Sequence, residues 1–400
     1  IKLIKVIKII KNIYIYMELT GDSKILKNFL FDNNIIEYKL NKNGIEIFNE
    51  IFKIYNDISK YQVIVSQKIL TNYKKELSKG TFLPNSIFNY IKNTAGTCII
   101  YNFKIEGKII ELRLVSYDDS LNIDYLNSLY NYIVLILKFF IKISHNKCNE
   151  HLKIEIFLTD FKKTILKDNI LLGAININTG YSYVCQKNGM ITIYRKEECL
   201  KVVIHECMHA FGLEFSHLNL DELNRKTKEI FPLKIEMNLF EAYTELWAEL
   251  LNISLISYKT NPKIKKNYID NIERMLSYEM KFSEFQIKKI LYYNNIRLDE
   301  LFKYENKYRE NTSVFSYYIM KGILLFNING FFNWCKKNNK GIIKFREDKD
   351  NLYSFYQLIK NSVDKLDIEE FKNDIYKLKN INQNKFYFIL NTLRMSSLEI

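Results

Sequence analysis

Residues 178–212 constrain the fold more than any other stretch of this sequence. Asn178–Val184 and Met190–Tyr194 alternate like strands and are split by a turn signal at Asn188-Gly189. The next stretch, KEECLKVVIHECMHAF, switches to helical spacing and runs into Gly212, where a helix C-terminus favours glycine. Upstream, CIIYNFKIEGKIIELRLVS reads as a hairpin around Glu106-Gly107-Lys108, followed by a long apolar helix from Leu121 to Ile143 and a buried strand from Lys153. Strand, strand, helix, strand, strand, strand, helix is the order of a compact α+β unit.

The flanks read differently. With 3 Pro and 12 Gly in 400 residues, long regular elements are favoured, and 48% hydrophobic against 26% charged residues excludes wholesale disorder. Residues 17–95 read as mostly helical and lysine-rich, closed by Pro84 and Asn85. Beyond Asn261 the stretches FSEFQIKKILYYNN, SVFSYYIMKGILLF and IEEFKNDIYKLKN have helical spacing, with turns expected at Asn329-Gly330 and Lys340-Gly341. The expected division is therefore a helical region over 1–95, an α+β core over 96–258 and a helical domain over 259–400.

The net charge of +14 rests on lysine, since only 8 of the 59 basic residues are arginine. Nucleic-acid readers favour the forked guanidinium, so a solvated lysine surface is the reading preferred and a nucleic-acid partner is disfavoured. The opening IKLIKVIKIIKNIYIY suits either a segment outside the folded unit or a basic amphipathic helix on a membrane surface. The most apolar run, Tyr132–Ile143, is cut by Lys138 and Lys142, so no transmembrane segment is expected. Six scattered cysteines without a CxxC pair suggest neither a disulfide scaffold nor a thiolate zinc site, and point to a cytoplasmic or other intracellular setting.

Three of the five histidines, His205, His209 and His217, fall within thirteen residues, and the first two form His205-Glu206-Cys207-Met208-His209. On a helix, positions i and i+4 share a face, so both imidazoles can reach one ion. Zinc suits such a pair, and Glu206 beside it can act as general base toward a zinc-bound water.

An HExxH helix in a β-rich α+β unit resembles the zincin metallopeptidases, over about Asn178 to Asn252. The resemblance implies a zincin-like catalytic core with zinc as cofactor and a protein or peptide as substrate. It also implies an edge strand that takes extended substrate, for which NTGYSYV is the candidate by position. The third zinc ligand stays open. Glu241, Glu245 and Glu249 repeat every four residues, similar to the gluzincin arrangement in which a later helix supplies a Glu ligand and a supporting acid one turn on. Glu241 is then the ligand with Glu245 behind it, or Glu245 the ligand with Glu249 behind it. His217 competes, because Gly212 follows His209 as in HExxHxxGxxH, but Phe215 stands where that pattern has its third histidine. Tyr317 or Tyr318 is a candidate oxyanion or substrate contact, with core packing the alternative. His145 and His151 read as surface residues.

These expectations amount to a zinc metallopeptidase. The competing class is a non-catalytic protein that keeps a metal for stability or contacts nucleic acid.

Overall fold

The computed structural model describes residues 19–30, 38–74, 82–118, 121–144, 147–165, 171–260, 264–304, 307–366, 368, 371–378 and 382–400. The basic stretch 1–16, most of YKKELS and His145 lie outside the described residues. The fold is α+β with one mixed sheet, and the chain forms two compact units.

The first unit, built from Ile51–Lys162 and Asn178–Leu213 among the described residues, contains the sheet. Its strands are β1 Val65–Tyr73, β2 Gly96–Ile105, β3 Lys108–Ser116, β4 His151–Leu158, β5 Gly180–Ser182 and β6 Asn188–Ile193. They lie in the order β1-β2-β3-β4-β6-β5, so β1 and β5 are the edges. β2 and β3 form the expected hairpin, with Glu106 at φ 45° and Gly107 at φ 84°, the paired left-handed conformation that matches strand twist. The β3–β4 and β4–β6 pairs are parallel, and helix Ile123–Ser144 makes the first of those crossovers.

Cross-strand register shows which face of the sheet is which. Arg113 pairs with Glu155, Glu155 with Thr192, and Thr192 with Tyr181, so one face carries a polar ladder across β3, β4, β6 and β5. Because side chains alternate, Gly180 and Ser182 point to the opposite face. That face carries helix Ile123–Ser144, whose Tyr130 stacks on Tyr101 at 4.4 Å, and the HExxH helix Cys199–Ala210.

The structure corrects several expectations. Residues 65–73, inside the stretch read as helical, form β1, because pairing with β2 outweighs a weak local pattern. Helix Ile123–Ser144 contains a window that is, by length and composition alone, long and apolar enough to cross a bilayer. It serves here as the crossover, with 61% of that apolar window buried in the protein, and Lys138 turns its ammonium to the Ile58 and Tyr61 carbonyls. Cys148 and Cys185 are joined by a disulfide, while Cys98, Cys199, Cys207 and Cys335 are free and buried. One bridge is no disulfide scaffold. Asn329-Gly330 lies inside helix Ile328–Asn338 rather than in a turn, whereas Lys340-Gly341 turns a short hairpin.

The second unit comprises Glu18–Glu50, Lys163–Ile177 and Glu214–Ile400 and is mainly helical. The units interleave along the chain, so they do not coincide with the linear division 1–95, 96–258, 259–400. Segment 163–177 belongs with the later residues because Ile165 donates to the Asn391 carbonyl and Asn311 to the Leu172 carbonyl, each at 2.9 Å. Helix Leu239–Thr260 is buried over most of its length and packs on Lys265–Tyr293. Tyr243 centres an aromatic cluster with Phe215, Phe331, Trp334, Phe345 and Phe355.

Candidate metal centre

Helix Cys199–Ala210 is buried on every side, which explains its apolar run before the motif and its lack of a solvated face. It ends in a Schellman motif: Gly212 N–H donates to the His209 carbonyl at 2.8 Å, Leu213 N–H to Met208 at 2.9 Å, and Gly212 takes φ 60°. The end is fastened from the sheet side as well. Asn149, fully buried, donates through Nδ2 to the Ala210 carbonyl at 2.8 Å. The Cys148–Cys185 bridge lies against Gly212, where an added Cβ would stand 3.2 Å from Cys185 Cβ. The last turn, with His209 on it, is thus held in place by backbone and side chain together.

The two imidazoles converge. His205 Nε2 and His209 Nε2 are 3.3 Å apart, with 7% and 8% of each residue exposed. Two ligands about 2.0–2.1 Å from a tetrahedral ion stand about 3.3–3.4 Å apart, so this spacing is compatible with a shared metal as well as with a hydrogen bond between the rings. Ligand atoms of His205, His209 and Glu241 all lie within 4.8 Å of one another. Two nitrogens and a carboxylate oxygen are donors that suit zinc.

The other candidates stand elsewhere. Glu245 is buried one turn beyond Glu241 and is not in that group. Glu249 pairs with Lys321 at 2.7 Å, both essentially inaccessible. It therefore has a buried cation as a partner. His217 lies 3.6 Å from Glu347 at the surface. Phe215, at the position where a third histidine would complete HExxHxxGxxH, instead packs on Phe345 with ring centroids 4.3 Å apart. Tyr318 is buried and gives its hydroxyl to the Leu393 carbonyl, the core role rather than an oxyanion contact. Tyr317 sits beside it in the π-helical turn Phe315–Met320. His151 is exposed at the start of β4.

Glu206 is 5% exposed, and Ser182 Oγ donates to its Oε2 at 2.7 Å. Sequence reasoning passed over Ser182, although its strand was recognised; the available signal was its place two residues after Gly180 on one strand face. Burial, with the Glu206 charge adding to it, pushes the Cys207 thiol well up. Cys207 is thereby an inert packing residue, not a nucleophile.

No family model and no solved structure matches the chain. The sequence is 28% identical over 239 residues to Uncharacterized protein R210 of Acanthamoeba polyphaga mimivirus, a match covering 58% of this chain and 57% of that protein. The chain thus spans a little over half the length of this relative.

Proposed function

We propose that the protein is a zinc-dependent metallopeptidase with a zincin-like core, His205, His209 and Glu241 being the metal ligands in a gluzincin-like arrangement. The observation that carries this reading is the 3.3 Å Nε2–Nε2 spacing beside a reachable carboxylate. A zinc ion held there supplies Lewis acidity and a water of lowered pKa. The chain's own work falls to Glu206. Its carboxylate takes a proton from the attacking water and delivers it to the leaving amine of the peptide bond. Edge strand β5, paired on one side only by β6, leaves backbone groups on which an extended protein or peptide substrate lies.

The test is Glu206→Gln. The variant should bind zinc with wild-type stoichiometry and lose peptide hydrolysis, and a chelator should silence the wild type until zinc is returned. Hydrolysis persisting in Glu206→Gln would refute the mechanism.

The burial of both imidazoles favours a second reading, a structural metal in a non-catalytic protein. In that case chelation should collapse the thermal midpoint and no peptide library should be cleaved.

A further inference from the structure

A general base is useful only when its oxygen lies about 2.6–3.2 Å from the proton it takes, and Glu has three side-chain torsions to fix. Strand β5 fixes them. Ser182 Oγ lies 2.7 Å from Glu206 Oε2 and 3.2 Å from the Glu206 backbone carbonyl. A hydroxyl has a single proton, and the shorter, charge-assisted bond to the carboxylate claims it. Two residues earlier on the same strand face, Gly180 leaves the space that the second carboxylate oxygen uses. A Cβ there would come 3.2 Å from Oε1, 3.1 Å from Val202 Cγ1 and 2.9 Å from the Thr192 carbonyl. Ser182 donates to one oxygen, and the absence of a Cβ at Gly180 leaves room for the other.

A strand of three residues holds a partner only if it is itself held. β5 pairs antiparallel with β6 at Gly180↔Ile193, Tyr181↔Thr192 and Ser182↔Ile191. At its entry the fully buried Arg195 donates to the Asn178 carbonyl at 2.9 Å and to Lys162 at 2.7 Å. At its exit, three residues beyond Ser182, Cys185 is tied to Cys148. The hydroxyl is therefore presented from a fixed frame.

We infer that Ser182 is the positioning residue of the general base, holding the Glu206 carboxylate in its working orientation through the Oγ–Oε2 hydrogen bond. The inference rests on the reading of Glu206 as base. Ser182 acts through Glu206 and needs no contact with the substrate.

The experiment compares zinc-loaded wild type with Ser182→Ala, and with Ser182→Thr against Ser182→Val, a pair of equal shape with and without the hydroxyl. Zinc affinity, thermal midpoint and the binding of a short peptide hydroxamate, a zinc chelator that also hydrogen-bonds the base, are measured calorimetrically. Ser182→Ala and Ser182→Val should bind zinc as the wild type does and the hydroxamate about tenfold more weakly, the scale of one hydrogen bond to a charged group. On a cleaved peptide, kcat should fall by a similar or larger factor with KM unchanged, and Ser182→Thr should recover both. Hydroxamate affinity and kcat equal to wild type in Ser182→Val would overturn the inference alone. Loss of zinc binding in that variant would also overturn it, since the hydroxyl would then be supporting the metal ligands. Wild-type protein that binds neither zinc nor hydroxamate overturns the hydrolase reading and this inference together.

Discussion

His205 Nε2 and His209 Nε2 lie 3.3 Å from each other across one helical turn. The variants that follow from this are graded. His209→Ala and Glu241→Ala each remove a proposed ligand and should weaken zinc binding by more than about a hundredfold. Glu245→Ala removes the supporting acid that the gluzincin resemblance implies and should cost about ten- to a hundredfold. His217→Ala, whose partner is Glu347, should leave affinity unchanged. Competition against a chromogenic chelator reads all four, and a His217→Ala value as low as Glu241→Ala would reverse the ligand assignment.

Lys321 lies between two buried acids. It pairs with Glu249 at 2.7 Å and bonds Ser283 Oγ at 2.7 Å. Burial raises the Glu279 carboxyl, and the nearby Lys321 charge and bonds from Ser396 and Ser397 restrain that rise. Lys321→Met leaves the acids without their cation and should destabilise the protein by about 3–5 kcal/mol. Adding Glu249→Gln should return part of that loss. Urea unfolding of the single and double variants measures it, and additive losses would deny the coupling.

Glu310 supplies a pH dependence. Burial pushes its carboxyl up to about 8 from the ordinary 4.5, against the Tyr308 hydroxyl and the Phe315 N–H that bond to it. The folded protein then binds this proton more tightly than the unfolded chain. The contribution to stability is complete below about pH 4.5, declines as pH rises toward 8, and is level above that. Glu310→Gln should flatten the slope by a few kcal/mol between pH 5 and pH 8. Parallel slopes in variant and wild type would show that another group carries the dependence.

The end of the motif helix is the fourth test. Asn149→Ala orphans the buried Ala210 carbonyl and should cost about 1–3 kcal/mol. Opening the Cys148–Cys185 bridge, 37 residues apart in sequence, should cost roughly 3–4 kcal/mol. Hydrogen exchange at 208–213 reports whether either change frees the last turn. Unaltered protection there would mean that the Schellman bonds hold it unaided.

Local pattern made part of this molecule legible. The Glu106-Gly107 hairpin, the long apolar helix, and the helix stop at Gly212 follow from turn chemistry, hydrophobic period and backbone preference, all of which act over a few residues. The i, i+4 spacing of His205 and His209 belongs to the same class, because helical geometry alone brings them to one face.

Long-range pairing decided the rest. VSQKILTNY became a strand through β2, and Cys148 met Cys185 because their flanking turns converge on Gly212. The choice between Glu241 backed by Glu245 and Glu245 backed by Glu249 could not be read from a four-residue repeat, since every member shares a helix face. In the folded chain Glu249 pairs with Lys321, and Glu241 is the one of the three grouped with His205 and His209. Sequence by itself determined which side chains can bind a metal, because that depends on donor chemistry and a helical turn. Only the folded chain decided which carboxylate joins the histidine pair in one group and which serine meets Glu206, because those contacts join residues whose separation in sequence carries no information about their distance in space.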